Sequence, residues 1–141
     1  IGMDGSNVKI TLFDVKNVSA PINMSEYKIG GIWSSTPVLT EHKAFLFDKS
    51  KDLLVIPVSV TFDSYSGSQW QGAYVFNITL SHGLILRGGI THLEFGMGGW
   101  ESDYQVERAL YIRDILYTVS DKKIKMNSLE DLSLIKEISF P

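Results

Sequence analysis

Three histidines stand where chemistry could use them: His42, His82 and His92. Glu41 adjoins the first and Glu94 follows the third by two positions. His42, His92, Glu41 and Glu94 together would supply the imidazole and carboxylate donors of a metal site. Their spacing matches no ligand motif, such as two histidines one helical turn apart. The plainer reading has His42 and His92 anchoring loop backbone by hydrogen bonds, with His82, in Ser81-His82-Gly83, a hairpin-turn residue. Asp48-x-Ser50-x-Asp52 offers oxygens at alternate positions but lacks the glycine and distal bidentate glutamate of a calcium loop, which leaves a solvated hairpin. Gly96-Met-Gly-Gly99 has no Lys-Ser/Thr after it and no strand-to-helix setting, so it is not a phosphate cradle. No Gly-x-Ser-x-Gly elbow occurs and no Ser/His/Asp set can be nominated. The chain has no cysteine, which removes disulfides, thiolate metal sites and Cys nucleophiles in one step. No catalytic residue and no cofactor are assigned.

Aromatic residues are the stronger lead. Trp33, Tyr65, Trp70 and Trp100 all fall in segments that read as links or loops, where strand packing does not require a large ring. Gathered on one face they would suit a carbohydrate or protein ligand. Alternatively, each tryptophan plugs a gap between neighbouring sheets, since loops of such folds also turn back onto the core. Asn17-Val-Ser19, Asn23-Met-Ser25 and Asn77-Ile-Thr79 are N-glycosylation sequons, three of the five asparagines. They lean towards an extracellular or cell-surface glycoprotein, with all three side chains expected to reach solvent.

The elements that would position these residues are strands. With 141 residues, 44% hydrophobic and 21% charged, the chain has the composition of a soluble globular domain. A net charge of −3 with scattered Lys and Arg excludes an electrostatic nucleic-acid binder. No apolar run approaches the roughly 18 to 20 residues that cross a bilayer, and no signal peptide is visible. The opening Ile1-Gly2-Met3-Asp4 fits a piece of a longer protein. In Val8-Lys9-Ile10-Thr11-Leu12 apolar and polar positions alternate, the mark of a half-buried strand. Leu54, Ile56, Val58 and Val60 share one face while Val55 and Pro57 make the other partly apolar, so this strand lies between packed layers. Pro57 cannot donate to a ladder, which predicts a bulge there. Arg113-Asp114 reads as a tight hairpin, and 63–72 as a polar, aromatic loop.

The strands repeat. Residues 44–48 and 52–59 recur as 109–120; each copy is followed by a third strand (73–78; 124–128) and a fourth (84–90; 132–138), while 8–15 and 24–29 supply only the last two. Four-stranded units in series are the signature of β-propeller blades. The chain is therefore expected to be all-β, a partial β-propeller of about two and a half four-stranded antiparallel blades. The units are a half blade at 8–29, a full blade at 44–90 with its strands in up-and-down order, and a last blade at 108–138, all within one all-β piece spanning 1–141.

Glu41-His-Lys-Ala-Phe-Leu-Phe-Asp48, Leu53-Leu-Val-Ile-Pro-Val58, Trp70-Gln-Gly-Ala-Tyr-Val-Phe-Asn77, Arg108-Ala-Leu-Tyr-Ile112 and Leu116-Tyr-Thr-Val-Ser120 carry a resemblance. In order, and over roughly positions 8 to 138, they resemble the C-terminal stretch of a family of archaeal and bacterial secreted proteins with a β-propeller domain. The resemblance implies a propeller and export or surface display. It implies no reaction and offers no catalytic set to carry over. This chain departs from the family in length, since a complete propeller needs at least four blades.

These readings converge on a non-enzymatic binding or scaffold module of an exported or surface protein. The alternatives are the channel-facing part of a secreted hydrolase or lyase, or a structural surface-layer component. The expected partners are the remaining blades of a parent chain and a protein or carbohydrate ligand. Faces built from residues such as Ile10, Leu12, Leu116, Val119 and Leu134 would lack a neighbour, so the chain is expected to self-associate, or its half blade at 8–29 to pack across the other blades or pair with a partner chain.

Overall fold

Short alternating segments interrupted by Gly, Asp and Lys turns cannot grow into long elements. The computed structural model describes residues 1–141 and contains twelve strands and no α-helix. The first sheet holds β1 (Gly2–Asp4), β2 (Asn7–Asp14) and β3 (Ile22–Lys28) in that order. The second holds β4 (Trp33–Ser35), β5 (Leu46–Asp48), β6 (Leu53–Thr61), β7 (Gln69–Thr79) and β8 (Gly83–Ile90), with β4 and β5 sharing one edge of β6. The third runs β9 (Arg108–Ile112), β10 (Ile115–Val119), β11 (Lys123–Ser128), β12 (Leu134–Ser139). Every pairing is antiparallel between neighbours.

The three sheets stack face to face through two apolar interfaces. Val8, Ile10 and Ile29 of the first meet Leu54, Ile56, Val58, Val60, Phe76 and Leu84 of the second. On the opposite side, Leu53, Val55, Ala73, Val75 and Ile90 meet Val106 and Leu116. β6 is thus buried on both faces, as its uninterrupted apolar sequence requires. Each fully buried aliphatic side chain contributes about 1.5–3 kcal/mol.

Several details differ from the sequence reading. Pro57 makes no bulge: the β6–β7 register is continuous from Leu53↔Asn77 to Thr61↔Gln69. Instead the neighbouring strand is broken. β4 covers residues 59–61 and β5 covers 53–55, separated by turns at Pro37–Leu39 and His42–Ala44. Thr36 Oγ1 donates to the Pro57 carbonyl at 2.7 Å. A residue's N and O leave the same edge of an antiparallel strand, so the missing N–H faces this gap and costs no ladder bond. The N-terminal sheet gains β1, whose two-residue turn puts Gly5 at φ 61, a left-handed conformation that glycine adopts freely. β7 begins at Gln69, so Trp70 belongs to a strand and the loop shrinks to 62–68; Trp33 likewise opens β4. β12 begins at Leu134, because Leu132 sits in the preceding turn at φ 63. Ile10 and Leu116, expected on open faces, are 4% and 0% exposed inside the two interfaces. Leu134 is exposed, and Leu12 and Val119 are half-buried.

Candidate functional site

Trp33, Tyr65 and Trp100 sit along one end of the central sheet. Trp33 pairs with Thr61 and Thr61 with Gln69. The link 91–107 lies against the same point: a Cβ built on Gly99 would come 2.8 Å from Gln69 Cβ, and Gln105 Nε2 donates to the Gly99 carbonyl at 3.0 Å. Loop 62–68 is closed by Phe62 N–H donating to the Ser68 carbonyl. Asp63 accepts from the N–H groups of Tyr65 and Ser66, bonds that hold its carboxyl below the usual range. On this frame Tyr65 is 101% exposed, Trp100 69% and Trp33 46%. Phe62 in the loop and Phe95 in the link are also exposed, and the sequence reading passed over both. Their signal was the same one, a large ring in a segment that strand packing does not claim.

Trp70 does not join this rim. It packs against Tyr74 with ring centroids 5.1 Å apart and rests on the core between the first two sheets. Gly72 and Gly89 leave it room, since a Cβ on either would come within 2.7 and 2.9 Å of the indole. Trp70 therefore plugs a gap between sheets.

The histidines and glutamates are not gathered, and no group of three His, Asp or Glu side chains converges anywhere. His92 is fully buried; its Nδ1 meets Ser120 Oγ and its Nε2 meets Thr118 Oγ1, each at 2.8 Å. Burial first, then the charges of Lys125 and Lys123, bring its pKa down to about 4. Glu94 instead pairs with Lys123 at 2.9 Å, a hydrogen bond that holds its carboxyl low. Burial opposes the charge of Lys123, but the bond it donates to Glu94 and the charge of Glu137 outweigh it and leave its pKa raised. His42 is exposed, and Glu41 accepts from Lys43 N–H, which lowers its pKa. Glu41 also lines a polar cleft of about 560 Å³ between the second and third sheets, with Ser35, Ser59, Glu107 and Arg108. At its back Gln71 clamps Val106, its Nε2 donating to the carbonyl and its Oε1 accepting from the N–H.

Asp48 caps the turn Lys49–Lys51, accepting from Ser50, and also accepts from the Tyr111 hydroxyl. The Ser50 and Tyr111 hydroxyls bring it to about 2, while Tyr111 is raised by the same bond. Its oxygens thus serve the fold. Asn17 and Asn23 are exposed and Asn77 is half-buried within β7. Asn23 Nδ2 also donates to Glu26 Oε1 at 2.7 Å.

No helix is long and apolar enough to cross a membrane. The chain is 26% identical over 139 residues to an uncharacterized protein of Archaeoglobus fulgidus, covering 96% of this chain and 18% of that one. It is 25% identical over 137 residues to the uncharacterized protein MJ1554 of Methanocaldococcus jannaschii, covering 97% of this chain and 18% of the relative. It therefore spans less than a fifth of the length of these relatives. No solved structure matches it. Three stacked antiparallel sheets, each built from neighbours in sequence, agree with a family model described as a beta propeller domain, which matches residues 2–132, and the chain belongs to that family.

Proposed function

We propose that this chain is a non-enzymatic binding or scaffold module of an exported, surface-displayed protein, and that the aromatic rim is its contact surface. The observation that carries the reading is Tyr65, wholly exposed at the tip of a loop that Asp63 holds in shape. Rigid aromatic rings presented without packing partners are the groups that concentrate binding energy at interfaces. Trp33 and Trp100 flank it, and flat rings of this kind accept the apolar faces of sugars. Exposed sequons at Asn17 and Asn23 support export. Isothermal titration calorimetry with oligosaccharides of β-glucan, mannan and chitin tests the rim. Saturable binding is expected, with at least tenfold weaker affinity in Trp33→Ala/Trp100→Ala. Affinity unchanged in that variant overturns the rim as the contact surface; silence towards every sugar overturns the carbohydrate reading.

A second reading is favoured by the polar cleft. Glu41, Glu107 and Arg108 around about 560 Å³ would suit the channel-facing part of a hydrolase or lyase. Polysaccharide cleavage lost in both Glu41→Gln and Glu107→Gln would establish it.

A further inference from the structure

β1 covers only part of β2. It pairs with residues 7–9, whereas β3 accompanies β2 from Lys9 to Asp14. Residues 10–14 therefore have a ladder neighbour on the β3 side alone. Alternation fixes which groups are free. The Ile29 N–H donates to the Val8 carbonyl, so Val8, Ile10 and Leu12 turn their polar groups towards β3. Lys9, Thr11 and Phe13 turn theirs the other way. Lys9 meets Gly2, while no strand stands across from Thr11 and Phe13.

Beside this edge lies an apolar trough of about 210 Å³ between the first two sheets, lined by Ile1, Ile10, Leu12, Phe45, Phe47 and Leu54 among others. A second hollow of about 200 Å³ shares Leu12 and Phe47 and runs on to Leu80. Phe45 and Phe47 are about half exposed, their rings 6.4 Å apart. Open backbone donors and acceptors alongside an apolar trough have one joint solution: an extended strand whose inward side chains are apolar.

We propose that the β2 edge at residues 10–14 is a strand-acceptor site, occupied by an extended segment of the same polypeptide that runs directly into Ile1. The β1–β2 register dictates its alignment. Gly2 opposes Lys9, so Ile1 opposes Ile10, and the second residue before Ile1 opposes Leu12 and points into the trough. Ile1 already lines that trough, and β1 already aims the backbone along this edge. A covalently continuous strand is also favoured by its high effective concentration. The curated relatives are more than five times longer than the stretch they share with this chain.

The test prepends Thr-Val-Thr-Val-Thr to Ile1, with Gly-Ser-Gly-Ser-Gly as the control extension. Amide hydrogen exchange is followed by NMR and mass by light scattering. The strand extension is expected to slow exchange at Thr11 and Phe13 at least tenfold relative to the control, leaving Ile10 and Leu12 unchanged. Thr11→Pro in the strand-extended chain should abolish the gain at Phe13. Equal exchange in the two extended chains, or a strand-extended chain that fails to fold while the control folds, overturns the proposal. So does protection of Thr11 in an unextended dimer, which would make a second copy the occupant.

Discussion

Both nitrogens of His92 are spent on hydroxyls, and Lys123 and Lys125 add positive charge nearby. The neutral ring is the form this pocket accepts. In the unfolded chain the imidazole titrates near 6.5, and in the fold at about 4. The unfolded state therefore takes up the proton first. The stability that the neutral ring supplies is complete above pH 6.5, erodes as pH falls towards 4, and is gone below it. The full loss amounts to about 3 kcal/mol. Urea denaturation across pH 4–7 should show this slope, and His92→Gln should flatten it. A variant as pH-dependent as the parent would show that the loss arises elsewhere. Asp48, lowered from 3.8 to about 2, acts in a separate and more acidic window.

Among the elements, β6 tolerates a central proline only because its neighbour is broken opposite Pro57 and Thr36 supplies the donor. Thr36→Val keeps the side-chain shape and strands the carbonyl. It should cost about 1–3 kcal/mol in denaturant unfolding, and no loss would mean that the carbonyl finds another donor. This part of the fold also marks the limit of reading strands from sequence. β6 and the β9–β10 hairpin were legible because alternation and turn residues are local signals. The division of one edge strand into β4 and β5 was not, because the proline's free edge is decided by a residue 21 positions away. β1 is only three residues long, too short for periodicity, though Asp4-Gly5 announces its turn. The start of β7 was hidden for a related reason: Gln69, Trp70 and Gln71 look like loop until their partners in other sheets are known. At the site, exposed rings could be read as candidates from their setting, but Trp70 separated from Trp33 and Trp100 only once the glycines beneath it were seen.

Over the whole molecule, the outer face of the third sheet has no covering layer. Leu110 and Ile112 on β9, Ile115, Tyr117 and Val119 on β10, Ile124 and Met126 on β11, and Ile138 on β12 share that face by register, all partly or well exposed. Apolar surface of this breadth on an isolated chain drives association. Light scattering at micromolar concentration should find dimers or larger species, and Leu110→Lys/Ile138→Lys should shift them to monomer. A clean monomer in the parent chain would show that this face is stable in water.

The clamp of Gln71 on Val106 has a mechanical consequence. Tension on the C-terminus meets β12 first, an edge strand whose bonds open in turn like a zipper, and the other strands of the third sheet can follow. At Val106 the load passes to a single buried amide that grips both polar groups of one residue in the link leading into the third sheet. Those two bonds must break together, with the core around Val106 still closed. The join between the second and third sheets therefore resists pulling where Tyr111 holds Asp48 and, last along the chain, at Val106, and the segment beyond it yields before the central sheet is disturbed.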